Sequence, residues 1–236
     1  MSTQAITPTT RVSDIAAAYP ATLRMMESLG IDYCCGGKLP LETAAAEAHL
    51  PVETVIAVLE TTIVQSRQSD EERNWSDAPI EELIDHIIAT HHTYMHRELP
   101  RLEGIMALVG RVHGPAHGDV LEPLAEAFTS LKTELEAHLI KEEEVVFPAI
   151  ARVVGGQRDE SAVSGARELE DEHEAAGALL HEMHRLTDDF AVPDGVCATY
   201  EALYHDLQAL EQDIHRHIHL ENNVLFPRLL RLLAQG

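Results

Sequence analysis

The sequence predicts an all-α protein in which a four-helix bundle follows a small N-terminal helical domain. Only 4% of the 236 residues are aromatic whereas 45% are hydrophobic, and helix-favouring alanine, leucine, isoleucine and glutamate are abundant. From Pro79 onward, four long segments have the spacing of amphipathic helices, and stretches that contain glycine and proline separate them. Segments this long in one compact domain are typical of a bundle.

The polar stretch at residues 67–77 has no hydrophobic pattern, so we expect a linker there. It divides the small N-terminal domain, residues 1–66, from the bundle, residues 78–236. The four bundle helices are predicted near 79–109, 119–154, 161–188 and 197–228.

In the N-terminal domain, Ser13 is expected to cap a helix from Ala16 to Leu29, and Gly30 is placed to end it. Two short helices are predicted to follow, near 41–49 and 52–66. Between them and the first helix, the sequence Ile31–Lys38 reads as an ordered turn that carries two adjacent cysteines, Cys34 and Cys35.

The bundle contains an internal repeat. His138 precedes Glu142 by one helical turn, and the same H-x-x-x-E-x-x-x-x-F-P pattern returns 79 residues later with His217 and Glu221. A further histidine precedes each copy by a similar distance, 46 residues for His92 and 44 residues for His173. The bundle is therefore interpreted as two copies of a helix pair.

Heptad spacing places the repeated residues on the inner face of the bundle. In the second helix the apolar seam runs through Leu135 and Val145 with two polar members between them, and in the first helix it includes Ile88. The polar members of the four seams are His92, His138, Glu142, His173, His217 and Glu221. Six buried polar groups cost several kcal/mol each when unpaired, so a bound metal explains them better than a histidine–glutamate hydrogen-bond network.

Four imidazoles and two carboxylates are too many ligands for one tetrahedral zinc. They suit two metal ions that prefer octahedral coordination, with two histidines on each ion and the glutamates as bridges. Iron is the first choice of metal and manganese is the second. A ferritin-like site needs E-x-x-H on two helices, and only Glu170–His173 fits. His91 is the main rival of His92 as the ligand from the first helix.

A formal net charge of −23 argues against nucleic acid and anionic membranes as partners. The N-terminus lacks a secretory signal pattern, and no stretch approaches the roughly 18 apolar residues of a membrane span. Three cysteines, Cys34, Cys35 and Cys197, do not form a secreted disulfide framework. We therefore expect thiols in a cytoplasmic protein, with Cys197 inert.

These motifs resemble the hemerythrin-like superfamily and, within it, the repair-of-iron-centres family of cytoplasmic di-iron proteins. The resemblance covers nearly the whole chain: the turn Asp32–Gly37, the two H-x-x-x-E motifs, and Glu172–Gly177. It implies a hemerythrin-like bundle whose four histidines and two glutamates hold two non-haem iron ions, carboxylate-bridged and oxo-bridged when oxidised. It also implies repair of iron–sulfur clusters damaged by nitric oxide or oxidants.

The chain departs from the oxygen-carrying hemerythrins. Those have a further histidine one turn after the helix-three ligand, where Gly177 stands here, and they end in H-x-x-x-x-D, whereas here the carboxylate comes at Glu221 and Asn222 follows it. Reversible oxygen storage therefore loses a key feature, and a more labile centre is expected.

Three functional hypotheses remain open. The preferred one is donation of ferrous iron to damaged iron–sulfur proteins or a cluster scaffold, with Cys34 and Cys35 as a thiol relay; the alternative for the cysteines is buried packing. The second is an enzyme that binds and reduces nitric oxide, with oxygen as a further ligand and Glu170 or Glu172 near a proton path. The third is a gas or iron sensor that acts through a partner. The sequence does not decide the oligomeric state, and a homodimer is one of the states it allows.

Overall fold

The computed structural model describes residues 5–34, 37–66 and 74–235. Within these ranges the chain is helical and contains no β-strand, apart from an isolated bridge between Arg11 and Pro40. The all-α fold class is confirmed. The chain divides into two compact units: one combines the N-terminal part up to Leu83 with His215–Gln235, and the other is Ile84–Ile214.

The first unit contains four short helices from the N-terminal part of the chain. They are α1 (Val12–Ala18), α2 (Leu23–Ser28), α3 (Leu41–Glu47) and α4 (Val52–Ser66), with a 3₁₀ turn at Pro20–Thr22. The single helix predicted from Ala16 to Leu29 is wrong, because Pro20 cannot continue α1 and the chain restarts as the 3₁₀ turn. Gly30 ends α2 as predicted, with φ of +67°.

Ser13 does not cap the first helix. It lies inside α1, whose N-cap residue is Arg11 without a side-chain capping bond. The first amide groups are satisfied from the turn instead, since Val12 N–H donates to the Leu39 carbonyl at 3.1 Å and Ser13 N–H donates to the Gly37 carbonyl at 2.8 Å. The turn thus replaces the side-chain cap.

The rest of the chain forms longer helices interrupted by π-helical turns. The α-helices are α5 (Ile80–Ile87), α6 (Thr93–Lys141), α7 (Phe147–Val154), α8 (Glu160–Thr187), α9 (Ala198–His219) and α10 (Phe226–Gln235). The π-helical turns are Ile88–His92, Glu142–Val146 and Leu220–Leu225. No helix among the described residues has the length and apolar character to cross a membrane.

Helix α6 reverses the chain at His117, where φ is −133° and ψ is 23°. His92 Nδ1 lies 2.7 Å from Glu143 Oε1, so the halves before and after this kink run antiparallel. The separator predicted from Gly110 to Gly118 is therefore much shorter than expected, and helical residues fill most of it. Helix α8 packs against α6, and His184 on α8 contacts Glu211 on α9.

The interior of the second unit is apolar. Its fully or nearly fully buried side chains include Leu99, Leu102, Leu124, Phe128, Leu131, Leu169, Leu180, Leu203, Leu207 and Leu210. Each such side chain contributes about 1.5–3 kcal/mol relative to exposure. This leucine-rich core holds the helices that carry the polar seam residues.

Candidate metal centre

The three π-helical turns lie at the polar seam residues. The first turn ends at His92, the second begins with Glu142, and the third contains Glu221. A π turn closes i→i+5 hydrogen bonds and so accommodates one more residue than an α turn, which changes the direction of the side chains on it. The local backbone therefore contributes to the direction in which these side chains point.

The extra residue shifts the inward register. Val145, predicted to face the core, is 54% exposed, whereas Val146 is 1% exposed. In the same way Ile87 is buried, whereas Ile88, the predicted seam member, is partly exposed. Both predictions are wrong because heptad counting assumes an uninterrupted α-helix.

The outer nitrogen of two seam histidines is held by a carboxylate. His92 Nδ1 lies 2.7 Å from Glu143 Oε1, and His138 Nδ1 lies 2.8 Å from Glu172 Oε2. Lys141 Nζ in turn donates to both Glu172 and, at 2.8 Å, to Glu168. Burial acts to raise the pKa of Glu172, but hydrogen bonds from Lys141 and His138 outweigh it and lower that pKa below its usual value.

This bonding fixes the inner nitrogens as acceptors. An ionised Glu172 accepts only, so His138 donates from Nδ1, and the neutral ring then carries a lone pair on Nε2. That Nε2 lies 3.0 Å from Glu142 Oε1 and 3.1 Å from His173 Nε2, and His92 Nε2 lies 3.2 Å from Glu142 Oε2. Imidazole lone pairs and carboxylate oxygens at these distances repel one another unless a proton or a metal cation lies between them. The donor set therefore fits a bound metal ion.

His217 and Glu221 repeat the arrangement one turn apart, with His217 Nε2 3.4 Å from Glu221 Oε1 and both side chains buried. The seam residues form two groups whose ligand atoms lie within 4.8 Å of one another: His92, Glu142, His217 and Glu221, and His138, Glu142, His173 and Glu221. Two imidazoles and two carboxylates make up each group, and both glutamates belong to both. This composition of imidazoles and carboxylates suits a metal site.

The geometry favours His92 over His91 as the residue at this centre. Both rings are buried, but His91 Nδ1 lies 2.9 Å from Asp213 Oδ1, and the ligand groups contain His92 only. The assignment of all six seam residues as ligands stays a prediction.

Sequence reasoning missed one of the two supporting carboxylates, Glu143. It considered Glu172 for a proton path and as part of a family motif, but not as the hydrogen-bond partner of His138. The available signal was that Glu143 and Glu172 are chain neighbours of Glu142 and His173. Metal-ligating histidines usually donate their second nitrogen to such a carboxylate.

Of the two adjacent cysteines, Cys34 is placed as the alternative of buried packing expects. Cys34 is buried, and its Sγ lies 3.2 Å from Asp32 Oδ1, which also accepts from the Cys34 backbone N–H at 2.8 Å. Cys35 lies outside the described residues. Cys197, expected to be inert, is exposed, and its Sγ lies 3.1 Å from His113 Nε2.

Comparison with known proteins agrees with this site. The model of the hemerythrin HHE cation binding domain matches residues 83–229, and that of the ScdA N-terminal domain, a domain of unknown function (DUF542), matches residues 9–62. The iron-sulfur cluster repair proteins YtfE of Citrobacter koseri, Escherichia coli and Shigella boydii are each 36% identical over 219 residues. These alignments cover 93% of this chain and 96% of each relative.

Proposed function

Because the chain belongs to the hemerythrin HHE cation-binding family and to the family of the YtfE iron-sulfur cluster repair proteins, we propose that it repairs iron–sulfur clusters damaged by nitrosative and oxidative stress, by donating ferrous iron. The observation that carries this proposal is the pair of overlapping histidine–glutamate groups. The clients are damaged iron–sulfur proteins or a cluster scaffold. Cytoplasmic location and a homodimer stay predictions from the sequence.

Iron is the cargo in this proposal, and two iron ions per chain would be held by the six seam residues, with Glu142 and Glu221 shared. Imidazole and carboxylate ligands suit ferrous iron, whereas thiolate and sulfide suit iron in clusters. In this proposal, iron therefore passes from nitrogen and oxygen ligands, which suit the ferrous ion, to the sulfur ligands of a damaged cluster, which suit iron in clusters. Cys34 and Cys35 are proposed as the thiol relay.

The surrounding residues of the chain keep the ligand set ready for reloading. Glu143 and Glu172 fix the tautomers of His92 and His138, so that each Nε2 stays available as an acceptor. Lys141 keeps Glu172 ionised. These contacts remove the need for the two rings to reorient after an ion has left.

A second candidate is direct binding and reduction of nitric oxide, with oxygen as a competing ligand. The contact chain from Lys141 through Glu172 to His138 supports it, because Lys141 and Glu172 are partly exposed and His138 is buried. Such a chain can carry a proton between solvent and the site. Within the part of the chain that the structure describes, Glu172 contacts both His138 and Lys141 and Glu170 makes no such link, so Glu172 is the stronger proposal for the proton path.

Metal content tests the centre itself. We expect two irons per chain and oxo-bridge absorption bands after aerobic purification. His92→Ala should lower the iron content, whereas His91→Ala should not, which makes His91 the matched control. One zinc per chain or no metal would contradict the proposal.

A repair assay distinguishes the two functions. Iron-loaded protein is incubated with an enzyme whose cluster has been nitrosylated, and recovery of that enzyme's activity is measured. Equal recovery with His138→Ala/His217→Ala protein would rule out donation from this site. Rapid nitric oxide turnover by reduced protein that is unchanged in Cys34→Ser/Cys35→Ser would favour the reductase.

A further inference from the structure

Cys197 stands at the start of a long helix, far along the chain from the seam residues of its own unit. It directly precedes α9, and its carbonyl accepts the first helical hydrogen bonds, from Tyr200 N–H at 2.9 Å and Glu201 N–H at 3.2 Å. This is the N-cap position of a helix of 22 residues. Its side chain is exposed, so a reagent in solution can reach the sulfur.

His113 supplies a partner for the thiol. Its Nε2 lies 3.1 Å from Cys197 Sγ, and its ring packs against the ring of Tyr200, one turn further along α9, at 5.3 Å between centroids. His117 is the other titratable ring at this place, 6.3 Å from His113 and 5.9 Å from Tyr200 between centroids. The imidazole is thus held beside the sulfur by packing as well as by the hydrogen bond.

The start of α9 favours the charged form of the thiol. The N-terminus of this helix presents backbone N–H groups, which stabilise a thiolate. His113 lies one turn before the break in α6 at His117. The hydrogen bond from His113, followed by those from backbone N–H groups of Tyr200 and Thr199, lowers the pKa of the Cys197 thiol to about 7.

We propose that Cys197 and His113 form a thiolate–imidazolium pair that undergoes thiol–disulfide exchange with small disulfides, so that Cys197 is a site of reversible thiol modification. This site is distinct from the candidate metal centre and from the Cys34–Cys35 turn, and it does not depend on the proposed iron donation.

The reaction balances without a further oxidant. The Cys197 thiolate attacks one sulfur of the disulfide, a new S–S bond forms as the old one breaks, and the second half leaves as a thiolate. The leaving thiolate takes a proton from the His113 imidazolium. Cys197 is oxidised, the released thiol is reduced, and the exchange reverses when that thiol is in excess.

The test compares rates on the full, iron-loaded chain. Protein is treated with limiting oxidised glutathione between pH 5 and 9, and peptide mapping by mass spectrometry measures the mixed disulfide at each cysteine. We expect Cys197 to react first, with a rate midpoint near pH 7 and release by excess reduced glutathione. His113→Gln should raise the midpoint and slow the reaction at neutral pH by up to about fivefold, since a higher thiolate fraction is partly offset by lower nucleophilicity.

His117→Gln is the matched control, because it removes a neighbouring imidazole and should leave the rate and midpoint of wild type. Circular dichroism establishes that both variants are folded. A wild-type midpoint between pH 8 and 9, the range of an ordinary thiol, would overturn the proposal. Equal rates in His113→Gln and wild type would overturn it too, as would faster modification of Cys34 or Cys35 than of Cys197.

Discussion

At the scale of single residues, the candidate centre depends on which nitrogen of each histidine carries the proton. Glu143 and Glu172 each accept from an Nδ1, which leaves the Nε2 of His92 and His138 directed at Glu142. Neither acceptor is a proposed ligand, yet each determines the protonation of one. Loss of such a carboxylate would leave the proposed metal ligands in place. It would still weaken metal binding, because the tautomer of one imidazole would no longer be fixed.

Removing Glu172 should therefore weaken metal binding. In Glu172→Ala we expect affinity for ferrous iron to fall roughly 10- to 100-fold, because His138 loses the acceptor that fixes its tautomer. Competition with a ferrous chelator measures this. Glu168→Ala is the matched control, since Glu168 shares the contact with Lys141. Equal losses in the two variants would contradict the role assigned to Glu172.

A second residue-scale prediction concerns His184, whose pKa is raised by its hydrogen bond to Glu211 against the opposing effect of burial. A raised pKa in the folded state means that folding favours the protonated ring. The stabilisation is fully present below the unfolded value of about 6.5 and is lost as the pH rises through the higher folded value.

The measurement is urea denaturation at a series of pH values. We expect the stability difference between wild type and His184→Gln to be largest in acid and to shrink above neutrality. His181→Gln, at an exposed position on the same helix, should show no such trend. A stability difference that grows with pH would contradict a raised pKa of His184 in the folded state.

At the scale of helices, the sequence predicted the six seam residues but not the path of the backbone through them. The H-x-x-x-E spacing places His138 and Glu142 on one face, and the repeat shows that this is not accidental. It says nothing of the π turns, because the one-residue shift of the hydrophobic period falls where two apolar residues are adjacent, as Val145 and Val146 are, and is therefore hidden. Val145 and Val146 therefore exchanged roles, since both are apolar and only the backbone decides between them.

Breaks between helices were harder to predict than the helices. Pro20 interrupts the first predicted helix, whereas Pro100, Pro115 and Pro123 all lie inside α6. A proline removes one hydrogen bond and crowds the preceding turn, and tertiary packing decides whether the helix tolerates that. The chain reversal at His117 needs a single non-helical residue, so the wide separator expected from its glycines was unnecessary.

Close packing of α8 against the second π turn gives a prediction at this scale. A Cβ added at Gly165 would lie 2.8 Å from Val146 Cγ2, and valine is stiff about χ1. In Gly165→Ala we expect this contact to lower the free energy of unfolding by about 1–3 kcal/mol. The higher helix propensity of alanine offsets about 1 kcal/mol of that loss. Chemical denaturation measures the net change.

Gly104→Ala is the control, because nothing lies within 4 Å of a Cβ built there, and it should stabilise the protein through helix propensity alone. Val146→Ala should relieve the loss in Gly165→Ala. If Gly165→Ala stabilised the protein as much as Gly104→Ala, α8 and the second π turn would not be closely packed, and the prediction would be contradicted.

At the scale of the whole molecule, the last part of the chain folds with the first. Within one compact unit, Arg216 donates to both Glu27 carboxylate oxygens, at 2.9 and 2.7 Å, and Asn223 donates to the Tyr33 carbonyl at 3.1 Å. His219 is buried against the Tyr33 ring, and burial lowers its pKa to about 4. Sequence patterning could not predict this, since contacts of such separation leave no local period.

The Glu27–Arg216 pair should therefore couple the two ends energetically. In a double-mutant cycle with Glu27→Ala and Arg216→Ala, we expect an interaction free energy of about 1–3 kcal/mol, because the bidentate bond is charge-assisted and Glu27 is largely shielded. The exposed Glu182–Arg185 pair on α8 serves as the comparison and should couple far more weakly. Additive effects of the Glu27 and Arg216 substitutions would contradict this energetic coupling between the two ends of the chain.

The π turns also have a consequence for backbone dynamics. A π turn is a rare interruption of an α-helix, so we expect the amides of Ile88–His92, Glu142–Val146 and Leu220–Leu225 to open locally more readily than those of the flanking helices. An ion held by the proposed ligands His92 and Glu142 would connect the first two of these turns. Amide hydrogen exchange in these segments should therefore slow when metal is bound and quicken when it is removed, so that exchange rates in the backbone report the occupancy of the candidate centre.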